Sequence, residues 1–248
     1  MKIAVITGAS SGLGREFALQ VSRKYSKMDE IWVVARRKER LEELEEQIKI
    51  PVRLFAMDVT NSEDLTEFKS YLEDVKPDIK MLVNCAGYGK IGRFDELDLD
   101  TQCGMIDVNC KGLTMFTGLC LPYISNHSRI INIASAAAFT PQPNFCVYAA
   151  TKAYVLSFSR ALNSELKSRK ITVTAVCPGP VNTEFFDIAG EKEEGFRKLK
   201  RADASKVVEK AIKDAAVGDE MSVYGTTMKL AAGASKVLPH KLILKILE

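Results

Sequence analysis

Seven short apolar runs, separated by stretches of helical length, constrain this chain more than any single residue does. They are IAVIT (3–7), IWVVA (31–35), VRLFAMD (52–58), MLVNCAG (81–87), RIINIAS (129–135), ITVTAVCPG (171–179) and the weaker MSVYG (221–225). Between them lie patterns such as KERLEELEEQI, with Leu41, Leu44 and Ile48 on one helical face, and SEDLTEFKSYLEDV, which has an Asn/Ser start. A strand that alternates apolar and polar residues keeps one face wet, whereas a strand apolar throughout must be covered on both faces. The alternation therefore predicts an α/β fold, a doubly wound parallel sheet of about seven strands with helices on both faces and right-handed crossovers. Ligands of such sheets bind beyond the carboxyl ends of the strands, where the strand order reverses. The residues just after each run are the ones to read for function.

With 248 residues and no internal repeat, low-complexity linker or break in the pattern, the chain is expected to form a single domain, 1–248. The formal net charge is only +3, and even KEEGFRKLKR (192–201) mixes both signs, so no nucleic-acid partner is expected. No run reaches the roughly 18–20 apolar residues that cross a bilayer. MKIAVITGAS turns straight into a Gly/Ser loop, unlike an export signal, and a cytoplasmic protein is expected. The six cysteines (85, 103, 110, 120, 146, 177) are far apart, without a CxxC pair, and several sit in apolar runs. Buried free thiols fit this pattern better than disulfides or a zinc site. Only His127 and His240 are present, so no metal centre is expected and acid–base chemistry falls to other groups.

TGASSGLG (7–14) follows the first run and opens a helical pattern over 12–24. Gly8 permits a tight turn, Gly12 a close backbone approach, and Gly14 the packing of a helix on the strand. Amides at the start of that helix would face a pyrophosphate. No GK[ST] follows, which disfavours nucleoside triphosphate hydrolysis. Enzymes that choose NAD commonly place a carboxylate on the ribose hydroxyls at the end of the second strand. Here the run ends Ala35-Arg36-Arg37. Two guanidiniums, whose planar forks suit phosphate, stand at a helix start that otherwise disfavours cations. NADP(H) is therefore expected in preference to NAD(H). Asp58, after the third run, reads equally as an adenine or ribose neighbour and as a helix-start carboxylate.

Ser135 lies immediately past the fifth run, Tyr148 follows thirteen residues later, and Lys152 one helical turn beyond it on the same face. With these, the ordered set TGASSGLG, NCAG (84–87), DVNCKG (107–112), INIAS (131–135), YAATK (148–152) and PGPVNT (178–183) resembles the short-chain dehydrogenase/reductase family in its compact form. The resemblance covers nearly the whole chain and implies a Rossmann-type fold and hydride transfer between a nicotinamide cofactor and a small-molecule carbonyl or alcohol. It implies Tyr148 as general acid/base, with Ser135 steadying the substrate oxygen and Lys152 holding the nicotinamide ribose. A free phenol has a pKa near 10. A cation about 5 Å away at an effective dielectric near 20 would lower it by roughly two units, and Lys152 is expected to supply that charge. Asn109 matches the family Asn that holds a relay water near the lysine.

For the cofactor, the resemblance implies Ser10, Ser11 and Leu13 beside the three glycines, and Val59 beside Asp58. It further implies Asn84, Ala86 and Gly87 at the adenosine pocket, and Pro178, Gly179, Val181 and Thr183 around the nicotinamide. Cys85 departs from the family's Asn-Asn-Ala-Gly, which leaves any side-chain role there in doubt. Residues 136–146 and a lid at about 184–203 are expected to wall the substrate site. Phe139, Phe145, Phe185 and Phe186 suggest an apolar substrate (a steroid, an aliphatic or aryl ketone, or a 3-ketoacyl group), unless they are plain core. KVLPHKLILKILE (236–248), too short to span, could meet a membrane surface peripherally, cover a pocket or pack at a subunit interface. Family members are commonly homodimers or homotetramers. The alternative to an enzyme is an NADP(H)-binding redox sensor or scaffold on the same fold. A sugar-nucleotide epimerase would need TGxxGxxG spacing and a larger C-terminal part.

Overall fold

The apolar runs lie side by side in one sheet. A computed structural model of the chain describes residues 1–190 and 201–235, together with positions 239, 241 and 244. Strands β1 (Lys2–Thr7), β2 (Glu30–Ala35), β3 (Val52–Ala56), β4 (Asp78–Asn84), β5 (Ile124–Ile133), β6 (Thr172–Val176) and β7 (Met221–Ser222) stand in the order β3-β2-β1-β4-β5-β6-β7. Every neighbouring pair is parallel. The order reverses between β1 and β4, which opens a crevice at their carboxyl ends.

The period of two along a strand sorts its side chains between two cores. Ala4, Ile6, Ile31, Val33, Met81, Val83, Ile131 and Ile133 face α1 (Gly12–Lys24), α2 (Lys38–Glu45) and α8 (Ala204–Val217), which contribute Phe17, Val21, Leu41, Leu44, Val208 and Ile212. Ile3, Val5, Trp32, Val34, Ile79, Leu82, Ile130 and Val173 face α3 (Ser62–Val75), α5 (Leu113–Cys120) and α6 (Cys146–Glu165), through Phe68, Leu72, Phe116 and Leu162. Both faces are therefore covered, as continuous apolarity requires. Asn61 caps α3, its side chain accepting from the amides of Glu63 and Asp64 and so satisfying two of the helix's orphan donors.

Ser135 and Asp58 lie past their strands as the sequence reading expects, whereas β4, β6 and β7 end before their apolar runs do and β5 begins five residues before its run, at Ile124. Cys85–Gly87 and Pro178–Gly179 lie just beyond their strands, the Cys85 and Ala86 amides being taken by the Thr7 hydroxyl and Pro178 having no N–H to pair. The helical stretch after β4 is α4 (Leu99–Ile106) and α5, joined through a single π-turn over Asp107–Gly112. Such π-turns inside helices occur frequently at functional sites, and this one carries Asn109. Of the lid expected over 184–203, α7 (Phe185–Ala189) is described and 191–200 lies outside the described residues. The 236–248 tail also lies outside them apart from three positions. Among the described residues no helix is long and apolar enough to cross a membrane. The expectation of buried thiols needs correction, since Cys103 and Cys146 are exposed while Cys120 and Cys177 are buried.

Phe68 sits at the centre of an aromatic group, stacked on Phe116 at 4.8 Å and edge-on to Phe55 and Trp32 at 5.0 and 6.3 Å. Removing that ring loses transfer free energy and leaves a cavity. Phe68→Ala should destabilise the protein by about 3–5 kcal/mol, read from the urea unfolding midpoint with an unchanged m-value.

Candidate active site

The crevice is built from backbone contacts that only glycine allows. Gly8 has φ of +68°, and a Cβ there would lie 2.7 Å from the Ala86 nitrogen. Next to it, the Thr7 hydroxyl oxygen accepts from the amides of Cys85 and Ala86 at 3.0 and 3.1 Å, which ties the end of β1 to the end of β4. Gly12, with φ of +53°, faces Thr183, whose Cβ would be 3.3 Å from an added methyl. A Cβ at Gly14 would meet the Gly8 carbonyl carbon at 2.6 Å, so α1 starts directly on the loop. Ser11 is the N-cap of α1 and makes no side-chain capping bond, while Leu13 packs against the core. This cradle of exposed amides at a helix start suits a diphosphate.

Arg37 lies across the loop, with Nε and Nη2 donating to the Ser10 hydroxyl at 3.3 and 3.1 Å. Its Nη1 donates to Glu184 at 3.1 Å, and Arg40 lies 3.6 Å from the other oxygen of the same carboxylate. Arg36 is 75 % exposed and lies 3.6 Å from Asp58. Asp58 accepts from the Thr60 amide and hydroxyl at 2.9 and 2.7 Å, so it acts as a turn-forming carboxylate ahead of α3 while still facing Arg36. Val59 is buried against Gly112. A glycine cradle and a basic rim without a carboxylate at the end of β2 together fit a nicotinamide dinucleotide.

At the other end of the crevice the catalytic candidates converge. Ser135 caps the 3-10 turn Ala136–Phe139, its Oγ accepting from the Ala137 amide at 3.1 Å. Burial pushes Tyr148 up to about 12, which the nearby Ser135 hydroxyl only partly offsets by favouring the phenolate. Lys152 is buried, its Nζ donating to the Ile133 carbonyl at 2.8 Å and lying 5.6 Å from the Tyr148 ring centroid. Desolvation brings this lysine down to about 8. The expectation that Lys152 lowers the Tyr148 pKa is thus not met. The ammonium is anchored on the end of β5, and the loss of water at both groups dominates.

Asn109 is buried in the π-turn, where Oδ1 accepts from the Tyr88 amide at 3.0 Å and Nδ2 donates to the Tyr88 carbonyl and the Thr151 hydroxyl at 2.9 and 3.0 Å. Both amide protons are committed, so a relay water could use only its main chain or the remaining Oδ1 lone pair. Asn84 points into the protein, donating to Thr117 and Asn132 at 2.9 and 2.8 Å, so it shapes the crevice from behind. The Cys85 thiol lies near Lys152, and burial pushes it up to about 12. A Cβ on Gly87 would lie 2.7 Å from Asn109 Oδ1 and 3.4 Å from Lys152 Nζ.

Pro178 accepts from the Ala136 amide at 2.8 Å, and Gly179 lies against Met228 of α9 (Thr226–Ala234). Val181 bridges to Ala202 through bonds of its neighbours Pro180 and Asn182, which leaves its own amide group outside that pair. The four phenylalanines divide. Phe145 stacks on Tyr148 at 4.2 Å and Phe185 lies 5.4 Å from it. Phe139 packs with Met228 in a core cluster, and Phe186 is edge-on to Phe185 beneath Arg201.

Thr7, Arg40, Tyr88, Thr151 and Met228 were not singled out from the sequence, and Glu184 figured only as the first lid residue. Arg40 carried a signal, being one helical turn from Arg37. The others depend on contacts distant in sequence.

Comparison with known proteins adds the following. The family model described as short chain dehydrogenase matches residues 2–194. An uncharacterized oxidoreductase of Staphylococcus saprophyticus is 34% identical over 217 residues, covering 85% of this chain and 89% of the relative. A short-chain dehydrogenase from Sphingobium yanoikuyae, solved in complex with NADPH, superposes with a TM-score of 0.81 at 26% identity, covering 99% of this chain and 95% of that one. A Burkholderia phymatum short chain dehydrogenase/reductase in complex with NAD matches the fold with a TM-score of 0.82 at 20% identity, over 98% and 95% of the two chains. The same fold therefore accompanies either dinucleotide.

A lysine whose folded pKa is depressed destabilises the fold below that pKa, and the penalty fades as pH rises toward the unfolded value. With Lys152 at about 8 against the ordinary 10.5, the stability of the cofactor-free protein relative to Lys152→Met should rise by about 2 kcal/mol between about pH 8 and pH 10. Thiols and phenols that ionise in this range contribute to both proteins and cancel. Denaturant titrations across that window test this, and a flat difference would mean an ordinary lysine.

Proposed function

Since the chain belongs to the short-chain dehydrogenase/reductase family, an NAD(P)-dependent oxidoreductase family, we propose that it is an NADP(H)-dependent carbonyl reductase or alcohol dehydrogenase for an apolar ketone or secondary alcohol. The observation that carries this reading is buried Tyr148 with Lys152 Nζ 5.6 Å from its ring and anchored on the Ile133 carbonyl, at the end of the strand that Ser135 follows. When bound, the cofactor would supply the hydride acceptor or donor. Ser135 and Tyr148 would both donate to the substrate oxygen. In reduction, Tyr148 would pass its phenolic proton to that oxygen, and in oxidation it would take the proton back. Burial keeps the phenol protonated at neutral pH, which suits the reductive direction.

On the cofactor side, the amides after Gly8 would cradle the diphosphate, Lys152 the nicotinamide ribose, and Val181 and Thr183 the carboxamide. Ser10, Arg36 and Arg37 would receive a 2′-phosphate, which favours NADP(H). Phe145 and Phe185 against Tyr148 support an apolar substrate. The outer faces of α4 to α6 expose Ile106, Met115 and Tyr154, which fits assembly into a homodimer or homotetramer. Six unpaired cysteines fit a reducing cytoplasm. The whole chain, in this reading, acts as one domain.

Screening ketones and alcohols with both cofactors, followed by absorbance of the reduced nicotinamide, tests the proposal. Tyr148→Phe should lower kcat by about 100-fold or more on every substrate turned over, and NADP(H) should be preferred by at least about tenfold in kcat/KM. Equal rates for wild type and variant would sink the acid–base assignment, and no turnover of any substrate would favour the binding-protein alternative.

A further inference from the structure

Arg37, one of the two guanidiniums assigned above to a 2′-phosphate, is bridged to Arg40 by a carboxylate. Glu184 Oε2 accepts from Arg37 Nη1 at 3.1 Å, and Glu184 Oε1 lies 3.6 Å from Arg40 Nη1. Arg37 at the same time holds the Ser10 hydroxyl. The carboxylate thus stands over the loop with two cations on it, in the manner of a bound anion. Its place in the chain is equally telling. Thr183, one residue earlier, rests against Gly12, so the strap crosses the face of the glycine loop. One residue later, Phe185 lies on Tyr148. The far end of α7 is held as well, with the Ile91 amide donating to the Ala189 carbonyl at 2.9 Å and Lys90 Nζ donating to the Ile188 carbonyl at 3.1 Å.

We propose that Glu184 is a built-in competitor of the cofactor's 2′-phosphate for Arg37 and Arg40, and so sets the strength of discrimination between phosphorylated and unphosphorylated dinucleotides. The inference rests on the NADP(H) reading and adds to it a residue outside the second strand. Side-chain exposures of 43 %, 47 % and 39 % for Arg37, Arg40 and Glu184 place the bridge in water, where ion pairs are weak and screened. A dianionic phosphate with three acceptor oxygens therefore displaces the single carboxylate and gains the bidentate guanidinium contacts for itself. When it does so, Arg40 becomes a third guanidinium for the phosphate, beside Arg36 and Arg37. An unphosphorylated ribose offers no charge to replace the carboxylate, so Glu184 stays paired and the arginines are not left bare.

The test is calorimetric binding of two probes, adenosine 2′,5′-bisphosphate and 5′-AMP, to the full-length wild type, Glu184→Gln and Glu184→Ala. An exposed pair of this kind corresponds to a factor of roughly five. Both variants should bind the bisphosphate about fivefold tighter than wild type at low salt, with 5′-AMP unchanged and the gain shrinking as ionic strength rises. Unchanged or weaker bisphosphate binding in both variants, while wild type prefers the bisphosphate, overturns the competitor role and leaves the NADP(H) reading intact. A preference that appears only in the variants supports the competitor role and removes the NADP(H) reading for the native chain. No preference in any of the three proteins overturns both.

Discussion

The site depends on one backbone junction, where the end of β1 is pinned to the end of β4. Thr7 Oγ1 takes both the Cys85 and Ala86 amides, and the Gly8 peptide packs on the same turn. Buried amides without partners cost about 1–3 kcal/mol each, so a single hydroxyl satisfies two donors where the parallel ladder runs out. From this point contacts propagate across the sheet. The β4 turn leads to Gly87, which abuts Asn109 and Lys152, and Lys152 in turn donates to the end of β5. A side chain at Gly8 would force β1 and β4 apart and unsettle every later contact.

The crevice built on this junction has two electrostatic regimes. At one end Tyr148 and Lys152 are dry, and burial moves both toward their neutral forms, the phenol up and the ammonium down. At the other end Arg36, Arg37 and Arg40 are wet, with their side chains 75 %, 43 % and 47 % exposed. In the proposed reading, chemistry would take place at the dry end, where a hydrogen bond has more effect, and recognition of a phosphate at the wet end, where exchange is cheap. The strap 183–190 joins the two, with Glu184 on the arginines and Phe185 on the tyrosine.

Much of this was legible in the chain. Continuous apolar runs specified a covered parallel sheet because both faces of each strand must find partners, and the residue after each run marked the crevice. Tyr148 and Lys152 were readable because helical periodicity is local. Asn84 shows the limit. It stands at the carboxyl end of β4, yet its side chain turns inward to Thr117 and Asn132, a choice made by hydrogen-bond partners 33 and 48 residues away. Asn109 was placed beside Lys152, but its grip on the Tyr88 backbone depends on a π-turn that no spacing rule announces.

The amino-acid order alone determined the strand–helix alternation, the glycine cradle, the lack of a carboxylate after β2 and the Ser, Tyr and Lys positions, because each is a matter of local pattern and residue chemistry. Tertiary structure decided the rest. Whether Lys152 tunes Tyr148 or is itself detuned depends on how much water the fold removes. That Glu184 answers Arg37 depends on bringing together residues 147 positions apart. Desolvation and long-range pairing are properties of the packed chain, and neither is carried by any short stretch of sequence.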